Sequence, residues 1–148
     1  MIDTLYTIGS SGKALREFVG SLRAAQIHRV IDVRLQNSSQ LAGFAKREHL
    51  EFLLTELLGI DYRHEPELAP EPELLREFRR SQDWDRYAAG FGELIEARGM
   101  VDILMEAARG SARPCLLCAC PSADHCHRRL LAEAAASAQP GLRVEHLP

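Results

Sequence analysis

No stretch of this 148-residue chain approaches the roughly eighteen consecutive apolar residues of a membrane span. Its first residues also lack the basic segment followed by an apolar one that marks a secretory signal. The expectation is a cytoplasmic protein that does not enter a membrane. There is little net charge: a formal −3 does not suit a protein that coats nucleic acid nonspecifically, although a local basic pocket stays compatible with a small anion. Internal repeats and low-complexity segments are absent, which excludes solenoids and linkers. C-x-x-C-H is absent too, which excludes a c-type haem. What remains is ordinary for one globular domain spanning 1–148, with 46% hydrophobic and 26% charged residues.

Along the chain, strand-like and helix-like patterns alternate. Leu5 to Ile8 is β-prone and ends at Gly9-Ser10-Ser11-Gly12, after which Leu15, Phe18, Val19 and Leu22 recur at helical spacing. Arg29 to Val33 reads as a second strand, with Ile31 and Val33 on one face and Val30, Asp32 and Arg34 on the other. A polar loop from Leu35 to Gly43 leads into a helix striped by Leu50, Leu53, Leu54, Leu57 and Leu58, stopped by Gly59. Ile60 to His64 reads as a third strand, and Glu65 to Glu73, with three prolines and four glutamates, as an exposed connection. Helical stripes follow at Leu74, Leu75 and Phe78; at Trp84 to Ile95 behind an Asp83 cap; and at Val101 to Ala108 before Gly110. The aromatic residues of these stripes read as core. Cys115 to Cys118 is the fourth strand, His125 to Ala138 its helix, and Arg143 to Leu147 a last strand. Such alternation predicts an α/β fold, a three-layer sandwich with a mainly parallel sheet.

The chemistry concentrates between Pro114 and Leu131, which holds all four cysteines and two of the six histidines. A strand, a tight loop and a helix start there, and ligands of open α/β sheets bind at such corners. Cys115 and Cys118 resemble a C-x-x-C pair, yet residues three apart on a strand point to opposite faces and chelate poorly. Cys118 and Cys120 share a face. Cys126 is expected in the first turn of the following helix behind an Asp124 N-cap, where the dipole and His125, His127 and Arg128 favour its thiolate. Cys118, Cys120, Cys126 and His127 together offer four soft ligands, enough for zinc or iron, although C-x-C-x5-C-H is not a usual zinc spacing. Packing is the third reading of the cysteines.

Two further features carry weaker signals. Gly9-Ser10-Ser11-Gly12 sits where a phosphate-cradling turn would, but Ser11 stands where a dinucleotide fingerprint needs its second glycine. Thr7 and Ala14 likewise break a Walker loop, so serines in a tight turn capping the helix are the simpler reading. Asp32 and Arg34 share a strand face near its carboxyl end, as a structural ion pair or as ligand contacts.

Thr7-Ile8-Gly9, Asp32-Val33-Arg34 with Ser39 and Gly43-Phe44 downstream, Gly59-Ile60-Asp61-Tyr62, and Leu116-Leu117-Cys118 followed by Cys126-His127-Arg128 resemble the domain-of-unknown-function 488 family. The resemblance covers nearly the whole chain. It implies a small intracellular prokaryotic α/β protein, with no reaction established for the family, and a site at Asp32, Arg34, Cys118, Cys126, His127 and Arg128. The family commonly has a Glu where this chain has Cys120, often a proline at Asn37, and a His at Ser10. If that Glu is a proton-transfer group, the change alters or removes activity; if it is a metal ligand, Cys120 softens the site.

Three function classes emerge. The first is an enzyme acting on a small anionic or nucleotide-like substrate: Cys126 is the nucleophile assisted by His127, Cys118 lies beside it, Asp32 orients or takes a proton, and Ser10, Arg34 and Arg128 hold the substrate. The second is a metal-binding domain using Cys118, Cys120, Cys126 and His127. The third is a non-catalytic module for a nucleic acid or protein partner.

Overall fold

Among the described residues five short strands form one sheet: β1 (Thr4–Gly9), β2 (Arg29–Asp32), β3 (Asp61–His64), β4 (Pro114–Cys118) and β5 (Arg143–His146). They lie in the order β3-β2-β4-β1-β5, and every neighbouring pair is parallel. The chain is seen in a computed structural model that describes residues 2–37 and 43–148. Ser39 and much of the polar loop after Leu35 lie outside the described residues.

All residues of β1, β2 and β4 are buried, whereas β3 and β5 alternate with exposed polar side chains. That is how a parallel sheet covers its centre and keeps its edges from recruiting another strand. Six helices complete the layers: α1 (Leu15–Ala24), α2 (Arg47–Phe52), α3 (Pro72–Ser81), α4 (Trp84–Arg98), α5 (Met100–Ala108) and α6 (His127–Ala138). Phe18 and Leu22 of α1 and Leu50 of α2 pack with Val30, Cys115 and Leu117 on one face. Phe91, Leu104, Leu131 and their neighbours from α4, α5 and α6 pack with Ile31, Val33 and Leu116 on the other. The period-two reading of β2 and β4 therefore holds, and the architecture is the expected α/β sandwich.

Several local expectations are revised. The leucine helix continues past α2 as a π-helical turn, Leu53–Leu57, and Gly59 ends it at φ +67°, a left-handed conformation that a side chain would strain. The Pro/Glu connection is not simply exposed, because Leu68 and Ala69 are fully buried beside a 3-10 turn at Pro66–Leu68. No serine caps α1: its N-cap is Ala14, whose backbone N–H donates to Glu17 Oε1 at 2.9 Å. Asp124 does not cap α6 either. Cys126 itself is the N-cap, with extended backbone (φ −134°, ψ 140°), and the helix begins at His127.

The order of strands places the site. From β1 the chain leaves to α1 on one face, and from the adjacent β4 it leaves to α6 on the other. Loops that diverge to opposite faces make a topological switch point at the carboxyl edge of the sheet. Here the crevice is zipped shut. Ser10 N–H donates to Cys118 O and Ser11 N–H to Ala119 O, both at 3.0 Å, so the ladder runs past the strand ends.

Candidate active site

Gly9 explains why the two loops can meet. A Cβ built on Gly9 would lie 1.7 Å from the carbonyl oxygen of Cys120. The glycine of Thr-Ile-Gly thus serves close backbone approach, not a phosphate. The amides of Ser10 and Ser11, which a phosphate cradle would need, are already spent on Cys118 and Ala119. Ser10 is 1% exposed, with no partner for its hydroxyl among the described residues. It does not line the neighbouring cavity, whereas Ser11 does.

That cavity, about 450 Å³, opens beside the zipped loops and is walled by β4 and the cysteine loop on one side and by α3 and α4 on the other. Cys118, Cys120 and Cys126 all line it. Their three sulfurs lie within 4.8 Å of one another, the one such group of potential ligand atoms among the described residues. Cys118 and Cys126 are buried and Cys120 partly so; all are free thiols. Cys115 packs in the opposite core, and burial pushes its thiol up, so it is an inert core residue.

The charge distribution within the cluster differs from expectation. Cys118, not Cys126, has its thiol drawn well below the usual range, by the neighbouring thiols of Cys120 and Cys126 first and by the Arg128 guanidinium less. Cys126 is pushed well above the usual thiol range by its neighbours Cys118 and Cys120 and by burial. Arg128 is 1% exposed and has no carboxylate partner among the described residues. It donates to Thr7 Oγ1 (3.2 Å) and Cys120 O (2.9 Å). A buried guanidinium favours negative charge nearby, and that is the direction in which it draws the Cys118 thiol. Arg128 thus faces the back of the cysteine loop and does not line the cavity as a substrate clamp would.

His127 is fully buried and neutral, its pKa driven down by desolvation. Its Nε2 meets Val33 O at 3.0 Å, which requires the hydrogen there and leaves Nδ1 as a lone pair 3.8 Å from Cys118 Sγ. His127 therefore serves Cys118 and not Cys126. It also stays outside the group of three mutually close sulfurs.

Asp32 and Arg34 form a buried, bidentate pair, with Nε donating to Oδ1 at 2.8 Å and Nη2 to Oδ2 at 2.7 Å. The Asp32 carboxylate also accepts from Arg34 N–H (3.1 Å), Asn37 Nδ2 (3.2 Å) and the Tyr62 hydroxyl (2.6 Å). Burial alone would raise its pKa, but these donors, Arg34 foremost, outweigh it and hold the carboxyl below its usual range. With Arg34 Nη1 on Ala45 O at 2.8 Å, the pair is a strut that fixes the loop after β2. Arg34 reaches the cavity wall; Asp32 does not.

Sequence reasoning missed residues that only the fold brings here. Asn37 and Tyr62 complete the Asp32 strut, and Gly59-Ile60-Asp61-Tyr62 was the signal available for Tyr62. Phe78 and Tyr87, read as core, face the cavity, as do Arg76 and Arg79. Trp84 stacks near His125, their ring centroids 4.9 Å apart, which ties the start of α4 to the cysteine loop.

No curated protein and no solved structure matches the chain. A family model does, over residues 14–135, a span that takes in β2, β3 and β4, the Asp32 strut and the cysteine loop and leaves β1 and β5 outside it, and the chain belongs to the family described as Domain of unknown function DUF488.

Proposed function

We propose that the protein is a single-domain enzyme for a small ligand held in the cavity, with its chemistry centred on a soft metal ion, zinc or iron, bound by Cys118, Cys120 and Cys126. One observation carries the reading: three sulfurs within 4.8 Å of one another on a cavity wall at the sheet's carboxyl edge. Tetrahedral zinc with Zn–S bonds of about 2.3 Å sets its sulfurs about 3.8 Å apart, so only small rotations of these side chains are required. Three protein ligands leave a fourth position for water or substrate, the arrangement of a catalytic site. In this chain the sulfur of Cys120 supplies the third ligand, so the departure from the family's usual Glu keeps a donor at that position and makes it softer.

Elemental mass spectrometry of protein purified without chelator, beside a native thiol count, tests this. Near-stoichiometric zinc or iron with protected thiols is the expected result, and its removal should lower thermal stability. A metal-free protein whose thiols all react freely would overturn it. The 3.8 Å approach of His127 Nδ1 to Cys118 Sγ favours a second reading, a metal-free Cys118–His127 nucleophile. Absent metal together with one fast-reacting thiol, abolished in Cys118→Ser but kept in Cys126→Ser, would select it.

A further inference from the structure

The cavity wall has a charge composition unlike the rest of the chain. The protein has 21 acidic residues against 18 Lys and Arg, yet no Asp or Glu lines the cavity among the described residues, while Arg34, Arg76, Arg79, His125 and His127 do. Three of these five are already committed. Arg34 is saturated by Asp32 and Ala45 O, His127 by Val33 and Cys118, and Arg76 is paired with Glu73 at 2.8 Å. Arg79, one helical turn along α3 from Arg76, has no carboxylate partner among the described residues.

From α4 the cavity wall carries a second available donor. Tyr87 is 4% exposed and lines the cavity, and its hydroxyl makes no hydrogen bond among the described residues. The hydroxyl keeps contact with the cavity's solvent, so it is available to donate to a ligand there. Its ring is well held, 4.7 Å from Phe78 and 6.4 Å from Phe91 between centroids, so the hydroxyl does not wander. Tyr87 thus shares the cavity wall with the three cysteines and with Arg79.

We infer that the Tyr87 hydroxyl and the Arg79 guanidinium together bind the oxyanion of a small organic ligand, whose body lies against Phe78, Leu75 and Pro70 and whose reacting end faces the three cysteines. The inference rests on the cavity being the ligand site proposed above. A phenol O–H and a guanidinium both donate and neither accepts a proton at neutral pH, so the group they recognise is an acceptor with negative charge: a phosphate ester or a carboxylate. The apolar side of the cavity, from prolines, Leu75 and Phe78, adds burial for a ring or short chain.

The test is isothermal titration of the protein as purified with inorganic phosphate, adenosine monophosphate and benzoate, repeated on Tyr87→Phe, Arg79→Gln and the outward-facing control Arg80→Gln. Tyr87→Phe keeps the aromatic packing and removes one oxygen, so its melting temperature reports whether folding has changed. Binding of at least one probe, weakened about tenfold or more in Tyr87→Phe and Arg79→Gln and unchanged in Arg80→Gln, is expected. Which probe binds distinguishes a free phosphate, a phosphate ester and a carboxylate. No binding of any probe at millimolar concentration, or equal affinity in all four proteins, overturns the inference. Metal content is measured on the same samples: loss of the anion effect with metal retained refutes this inference alone, and anion binding without metal refutes only the metal reading.

Discussion

Replacing Gly9 with alanine should cost the protein far more than the single methyl suggests. The new Cβ would stand 1.7 Å from Cys120 O, and contacts under 3.0 Å are essentially not seen, so the two backbones must separate by at least 1.3 Å. Neither atom belongs to a flexible side chain. Ser11 N–H to Ala119 O and Ser10 N–H to Cys118 O, both 3.0 Å, lie in the path of that shift, as does Arg128 Nη1 to Cys120 O at 2.9 Å. Overpacking costs about 1–3 kcal/mol, and a hydrogen bond from a charged group about 1.5–3 kcal/mol more. A loss of about 3–5 kcal/mol follows, a large share of the stability of a domain this size. Urea denaturation measures it, and Gly20→Ala is the control. Gly20 lies inside α1 with nothing within 4 Å of its virtual Cβ, so there the same substitution should stabilise by about 0.5–1 kcal/mol. If Gly9→Ala loses less than about 1 kcal/mol, the zipped-loop account of the site is wrong.

Other outcomes follow from the strut and the cluster. Asp32→Asn should destabilise by about 3–5 kcal/mol at neutral pH by leaving Arg34 buried and uncompensated. Because the folded carboxyl titrates below its usual 3.8, the wild-type advantage is present above that value and lost as pH falls through the lower folded pKa. Denaturation curves for the two proteins should therefore converge in acid, and a gap independent of pH would contradict the pairing. Tyr62→Phe, which removes the 2.6 Å bond to Asp32 and the 3.2 Å bond that the hydroxyl accepts from Asn37 Nδ2, should cost about 1–2 kcal/mol in the same assay. Cys118→Ser and Cys126→Ser should each abolish metal retention, while Cys115→Ala, in the opposite core, should leave metal content unchanged by elemental analysis.

Much of the fold was legible because it depends on local periodicity. Ile31 and Val33 against Val30, or Cys115 against Cys118, separate by the two-residue repeat of any strand, and the structure divides them between two cores accordingly. Gly59 and Asp83 were readable as helix punctuation because caps act within a few residues. The cap of α6 was not, since whether Cys126 or Asp124 starts the helix depends on where the β4 loop is pinned by Gly9 and Arg128.

The site divides along the same line. The sequence by itself determined that thiols and an imidazole would gather at the end of β4, because they are consecutive in the chain and a strand-to-helix corner has nowhere else to put them. Only the tertiary structure decided which thiol is drawn down, since Cys118 is flanked by Cys120 and Cys126 and acted on by Arg128 from the following helix. It also decided that the cavity's far wall comes from α3 and α4, bringing Arg79 and Tyr87 into one cavity with cysteines roughly thirty to fifty positions away in sequence. Period and propensity describe a helix's own faces, but what stands across from a face is fixed by strand order and packing, which no local pattern encodes.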